Sequence, residues 1–79
     1  MVITIKLRGS LIKYFNGQRE KTIEVPLDCS AEEALKLAGI DWPKIENFGF
    51  VAINGKRVMI YDKLQDGDEL KAYSKISGG

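Results

Sequence analysis

Residues 50–60 read FVAINGKRVMI, two β-rich runs joined by Asn54-Gly55. Asn-Gly is the preferred pair of a type I′ hairpin turn, because both central residues need positive φ and these two tolerate it. A two-residue loop fixes the register: Val51 faces Val58 and Phe50 faces Met59. Alternation then puts Val51, Ile53 and Val58 on one face, with Phe50, Ala52, Arg57 and Met59 on the other. The first set is apolar throughout, so the hairpin predicts a sheet with one buried face. Its flanks decide which sheet.

Downstream, LQDGDEL (64–70) is turn chemistry, and ELKAYSKI (69–76) is a last strand. There Leu70 and Ala72 point opposite to Lys71, Tyr73 and Lys75. Upstream, CSAEEALKLAGI (29–40) predicts a helix. Ser30 and Glu33 form a Ser-x-x-Glu capping box, Ala31, Ala34, Leu35 and Ala38 make one apolar stripe, and Gly39 ends it. Cys29 precedes the cap, where an apolar residue staples onto the first turns; a low-pKa thiol at a helix start is the competing reading.

Further upstream, VITIKL (2–7) alternates as a half-buried strand with Ile3, Ile5 and Leu7 inward. KTIEVPL (21–27) alternates through Ile23, Val25 and Leu27, and Pro26 restricts it to an edge or to its end. Between them, Ser10 can cap a short helical turn that Asn16-Gly17 stops, or the stretch is plain loop. DWPKIENF (41–48) is a connection or second short helix, with Trp42 or Ile45 plugging the core.

The order is strand, strand, helix, hairpin, strand. One amphipathic helix covers one sheet face and leaves the other open to solvent or to a partner. That order predicts an α+β fold, the ubiquitin-like β-grasp: a mixed sheet with the first and last strands adjacent at its centre.

Composition narrows the function. The 79 residues hold one small domain, and 44% hydrophobic with 29% charged is the balance of a globular chain. A net charge of +1 gives no electrostatic argument for nucleic acid. No run approaches a membrane span and the start lacks a signal-peptide pattern, so a cytoplasmic location is expected. With one Cys and no His, zinc sites and His-assisted nucleophiles are unavailable, and no metal is expected. Asp62, Asp66, Asp68 and Glu69 do not match a calcium loop and read as turn residues.

The motifs of residues 51–79 together resemble the MoaD/ThiS sulfur-carrier family. The shared elements are a small-apolar strand, the Asn-Gly hairpin, Leu-x-Asp-Gly-Asp-Glu, an apolar strand and Gly78-Gly79. The first strand and the capped helix fit as well, so the likeness covers nearly the whole chain. One departure is Ser74-Lys75, where members serving molybdopterin synthase usually carry Pro-Pro.

The resemblance implies a β-grasp domain over residues 1–76 and a flexible tail at 77–79. It implies that an adenylating enzyme, of the ubiquitin-activating type, uses ATP to activate Gly79, with Gly78 beside it. Sulfur then displaces AMP to leave a thiocarboxylate. It also implies a second partner, the large subunit of molybdopterin synthase, in a heterotetramer that this chain serves as the sulfur-donating small subunit. The chain itself would be non-catalytic and bind no cofactor. The open sheet face is the expected docking surface, with Tyr73, Phe50, Arg57, Met59, Lys71 and Lys75 facing the partner. Thiamin-type carriage, conjugation through Gly79 to lysines of other proteins, and a plain interaction module are the other readings.

Overall fold

β1 (Val2–Arg8) sends Ile3, Ile5 and Leu7 into the core at 0–1% exposure, the alternation its sequence dictates. The computed structural model describes residues 1–15 and 18–75, apart from the side chains of Ile12, Tyr14 and Phe15. The Asn16-Gly17 stop, the expected boundary after residue 76, Gly78 and Gly79 lie outside the described residues. β2 (Glu20–Glu24), the helix α1 (Ala31–Leu37), β3 (Phe48–Ile53), β4 (Lys56–Val58) and β5 (Glu69–Ser74) follow in order. The sheet is five-stranded, β2-β1-β5-β3-β4, with β1 and β5 parallel at its centre and the other pairs antiparallel.

The turn between β3 and β4 has Asn54 at φ 51° and Gly55 at φ 85°, and Val51 faces Val58 as expected. The next pair does not form. The Met59 N–H is taken by Asp62 Oδ2 at 2.9 Å, so β4 ends at Val58 and Phe50 never faces Met59. β2 departs from expectation too. It stops at Glu24, ahead of Pro26, and Leu27 is 79% exposed in the following turn instead of continuing the inward set.

α1 carries its full capping box. Glu33 N–H donates to Ser30 Oγ at 3.3 Å, while Ser30 N–H and Oγ–H both donate to Glu33 Oε1, at 3.3 and 2.9 Å. Two more helix-start amides are satisfied tertiarily: Ala31 N–H donates to the Asp62 carbonyl and Glu32 N–H to that of Ile60. The far end closes as a Schellman motif on Gly39 at φ 89°, with Ile40 N–H donating to the Leu35 carbonyl at 2.8 Å. Cys29 is 1% exposed, and burial followed by the Glu33 charge pushes its thiol upward, so it is a staple and not a reactive thiolate. Ala31, Ala34 and Leu35 meet Ile3, Ile5, Val51 and Leu70 in the core; Ile53 and Val58 are half-buried against it.

The Ser30 hydrogen bonds, first from its hydroxyl, hold the Glu33 carboxyl below the ordinary glutamate value of 4.5. A depressed folded-state pKa stabilises above the unfolded value, and that contribution is lost as pH falls through the folded one. Glu33→Gln is therefore expected to lower the melting temperature at about pH 7, and its difference from the parent is expected to shrink at about pH 4 as protonation begins to remove the contribution. Thermal melts at the two pH values check this.

Before β2, a 3₁₀ segment spans Gly9–Phe15. Ser10 sits inside it and does not cap it: its N–H donates to Ser74 Oγ at 3.4 Å, and its hydroxyl accepts from Asn47 Nδ2. A second 3₁₀ turn, Trp42–Lys44, brings Ile45 to 8% exposure and packs Trp42 half-buried on the core, 5.8 Å from the Phe48 ring.

Candidate functional site: the helix-free sheet face

Alternation in β1, β3 and β5 leaves one face without a helix. Tyr73 and Phe50 meet there as neighbours across β3 and β5, their rings stacked at 4.6 Å and 12°. Arg57, brought over by the hairpin, lays its guanidinium 4.5 Å above the Phe50 ring centroid. On the other flank Arg8 pairs with Tyr73 across β1 and β5. Arg57, Phe50 and Tyr73 thus form a cationic and aromatic ladder across the sheet, with Arg8 the register neighbour of Tyr73. Each contact holds the next side chain, which reduces the rotamer freedom a partner must freeze. Ala52 lies between Arg57 and Lys71, 4% exposed yet outside the core cluster, so those long side chains cover it.

A bulge makes this arrangement possible. Phe48 faces Ser74 and Phe50 faces Tyr73, so Gly49 is an extra residue in β3. Without it Phe48 and Phe50 would share a face. With it, Phe48 packs with Trp42 against the core and Phe50 joins Tyr73.

Among the expected docking residues, Tyr73, Phe50 and Arg57 come together. Lys71 is diverted. Glu69, on the same face of β5, bonds Lys6 at 2.9 Å and Lys71 at 3.4 Å, and these bonds, Lys6's first, hold its carboxyl below the usual value. Glu69 therefore neutralises part of what alternation presents as a bare cationic rim. Met59, 57% exposed, and Lys75 flank a groove that begins where β4 stops, lined also by Trp42, Phe48, Phe50 and Arg57. Gly78 and Gly79 lie outside the described residues.

Three of the four acids, Asp62, Asp66 and Asp68, behave as turn residues, whereas Glu69 begins β5 and pairs with Lys6 and Lys71. Asp66 Oδ1 accepts from the Val2 N–H at 2.7 Å, and Asp68 accepts from Gln65 N–H at 2.7 Å and Asn54 Nδ2 at 2.8 Å. Among the described residues no cluster of acids and Cys could hold a metal ion. None of their helices is long and apolar enough to cross a membrane.

Solved structures share the whole architecture. SAMP1 from Haloferax volcanii is 24% identical over 100% of both chains, with a TM-score of 0.79. A putative molybdopterin converting factor subunit 1 from Pyrococcus furiosus is 21% identical over 96% of this chain and 99% of that one, at 0.76. The chain is a ubiquitin-like β-grasp domain. A complex of subunits 1 and 2 of the molybdopterin-converting factor from Helicobacter pylori also matches, 14% identical over 100% of both chains with a TM-score of 0.67. No family model matches the chain, and no curated protein sequence matches it significantly. The β-grasp is thus shared with proteins less than 25% identical to this chain.

Proposed function

We propose that this β-grasp domain is a sulfur carrier whose Gly79 is loaded as a thiocarboxylate and which delivers that sulfur to molybdopterin formation. The observation that carries it is the helix-free face: a preassembled Arg57–Phe50–Tyr73 ladder beside the strand that leads into Ser77-Gly78-Gly79. The similar Pyrococcus and Helicobacter structures, described as molybdopterin-converting-factor subunits, support the pathway.

The chemistry balances in two steps on the partner enzyme. A Gly79 carboxylate oxygen attacks the α-phosphorus of ATP and pyrophosphate leaves, giving an acyl adenylate. A sulfide-level sulfur nucleophile then attacks that carbonyl, AMP leaves with the C–O electron pair, and a thiocarboxylate remains. A carboxylate is a poor acyl donor, and the adenylate supplies the leaving group. This chain's own contribution is recognition and reach. The ladder docks, and two residues without side chains enter a narrow site. A second reading, conjugation of the activated Gly79 to a lysine amine, is favoured by the likeness to a small archaeal modifier protein, 22% identical over 95% of this chain.

The docking half is tested at Tyr73. Tyr73→Asp removes the stack and places a carboxylate in the ladder. Affinity for the adenylating partner is expected to fall about 100-fold, the loss of a central aromatic hot spot. The melting temperature is expected to fall by only about 4–8 °C, reflecting a stacking contribution near 1 kcal/mol. Calorimetric titration and thermal melting read the two effects; unchanged affinity would exclude this face as the docking surface.

A further inference from the structure

The end of β5 is held from both sides. A Cβ on Gly49 would meet the Tyr73 carbonyl oxygen at 2.9 Å and Lys75 N at 3.0 Å, so the bulge lies directly against the backbone there. On the opposite side Gly9, at φ +66°, leaves no room for a Cβ beside Ser74 Oγ. Hydrogen bonds complete the enclosure. Ser10 N–H donates to Ser74 Oγ at 3.4 Å, Asn47 Nδ2 donates to Ser10 Oγ, and Lys75 N–H donates to the Asn47 carbonyl at 2.6 Å.

Three distant stretches, residues 9–10, 47–49 and 74–75, are therefore tied together at one point. None of the side chains that make the tie belongs to the core, and Ser10 is exposed. A polar tie at the surface adds little to global stability, because water competes for each of its bonds. What it does hold is the backbone at Ser74 and Lys75, where β5 ends. Chain ends fray unless something holds them.

We propose that Ser10, Asn47 and Ser74 are positioning residues for the reaction at Gly79. They form a clamp that fixes the exit of the chain at Lys75, so that residues 76–79 start toward the partner's nucleotide from one backbone conformation. The inference rests on the carrier reading. Four residues of extended chain reach about 13–14 Å at most, so the reacting carbonyl is never far from the clamp. A frayed exit multiplies the conformers that must be frozen before the carbonyl meets the α-phosphate, and misplacement by about 1 Å costs up to about 100-fold in rate. Ser10, Asn47 and Ser74 contribute no side chain to the docking ladder, so KM serves as the control for an effect on docking.

Ser74→Ala and Asn47→Ala each remove one clamp group and leave the Asn47 carbonyl in place. Both variants are expected to melt within about 4 °C of the parent, since each loses a surface bond for which water competes. Amide exchange at Lys75, measured on the protein alone, is expected to accelerate about 10-fold. ATP–pyrophosphate exchange with the host's adenylating enzyme is expected to lose about 10-fold in kcat with KM within about twofold, the split that separates positioning from docking. Unchanged Lys75 protection overturns the clamp, and unchanged kcat with faster Lys75 exchange overturns its positioning role. If the parent protein itself fails to support exchange, the carrier reading falls, and Lys75 protection still decides the clamp.

Discussion

Deleting Gly79, or adding one residue after it, is expected to reduce ATP–pyrophosphate exchange with the adenylating enzyme to background while the melting curve stays in place. The fold has no stake in the change, because every buried apolar residue described lies at or before Ala72. The reaction has everything at stake. A near-attack arrangement tolerates about 1 Å, and one residue of extended chain moves the carbonyl by about 3.3 Å. Gly78→Val is expected to fail as well, through a side chain in a channel that admits bare backbone. Exchange by the extended protein at the parent rate would mean that Gly79 is not the reacting residue.

Leu35→Ala is expected to cost about 2–5 kcal/mol, a large part of the roughly 5–15 kcal/mol that keeps a domain folded. Leu35 is 0% exposed at the middle of α1's apolar stripe, and α1 is the helix that covers the sheet. A short helix of good capping but few turns cannot collapse into the cavity without losing its caps, which favours the upper part of that range. Denaturant melts read the loss directly, and a midpoint about 8–40 °C lower in thermal melts is the matching signature. A cost below about 1 kcal/mol would place Leu35 outside the core.

What the sequence makes legible here is local. Asn54-Gly55 fixes the hairpin register through its own backbone preferences, and Ser30 with Glu33 start α1 through bonds three residues apart. Period-2 alternation carries Tyr73 to the open face for the same reason. The features that escape a linear reading are bonds that no residue pattern marks, some of them to a distant partner. β4 ends at Val58 because Asp62 folds back on Met59, and Glu69 bonds Lys71 on its own strand together with Lys6, which β1 brings beside it. Asn54 does more than turn the hairpin: its side chain joins Asp68 at 2.8 Å and accepts from Glu69 N–H at 2.9 Å, fastening the turn to the start of β5. Gly49 did carry a signal. A glycine between Phe48 and Phe50 in a strand marks a bulge or a close backbone approach, and here it is both.

The modifier and carrier readings share one activated intermediate and part only at the nucleophile that follows. The proposed docking role of Tyr73, Phe50 and Arg57 is the same on either reading, since docking precedes that choice. The partner decides the product.

The most direct measurement is the intact mass of this protein purified from its native host without reducing treatment. The account predicts a population that ends at Gly79 and is heavier than the plain carboxylate by one sulfur-for-oxygen exchange. Fragmentation should place the sulfur on Gly79. A protein found only as the carboxylate when its sulfur acceptor has been removed, or one that continues past Gly79, would contradict it.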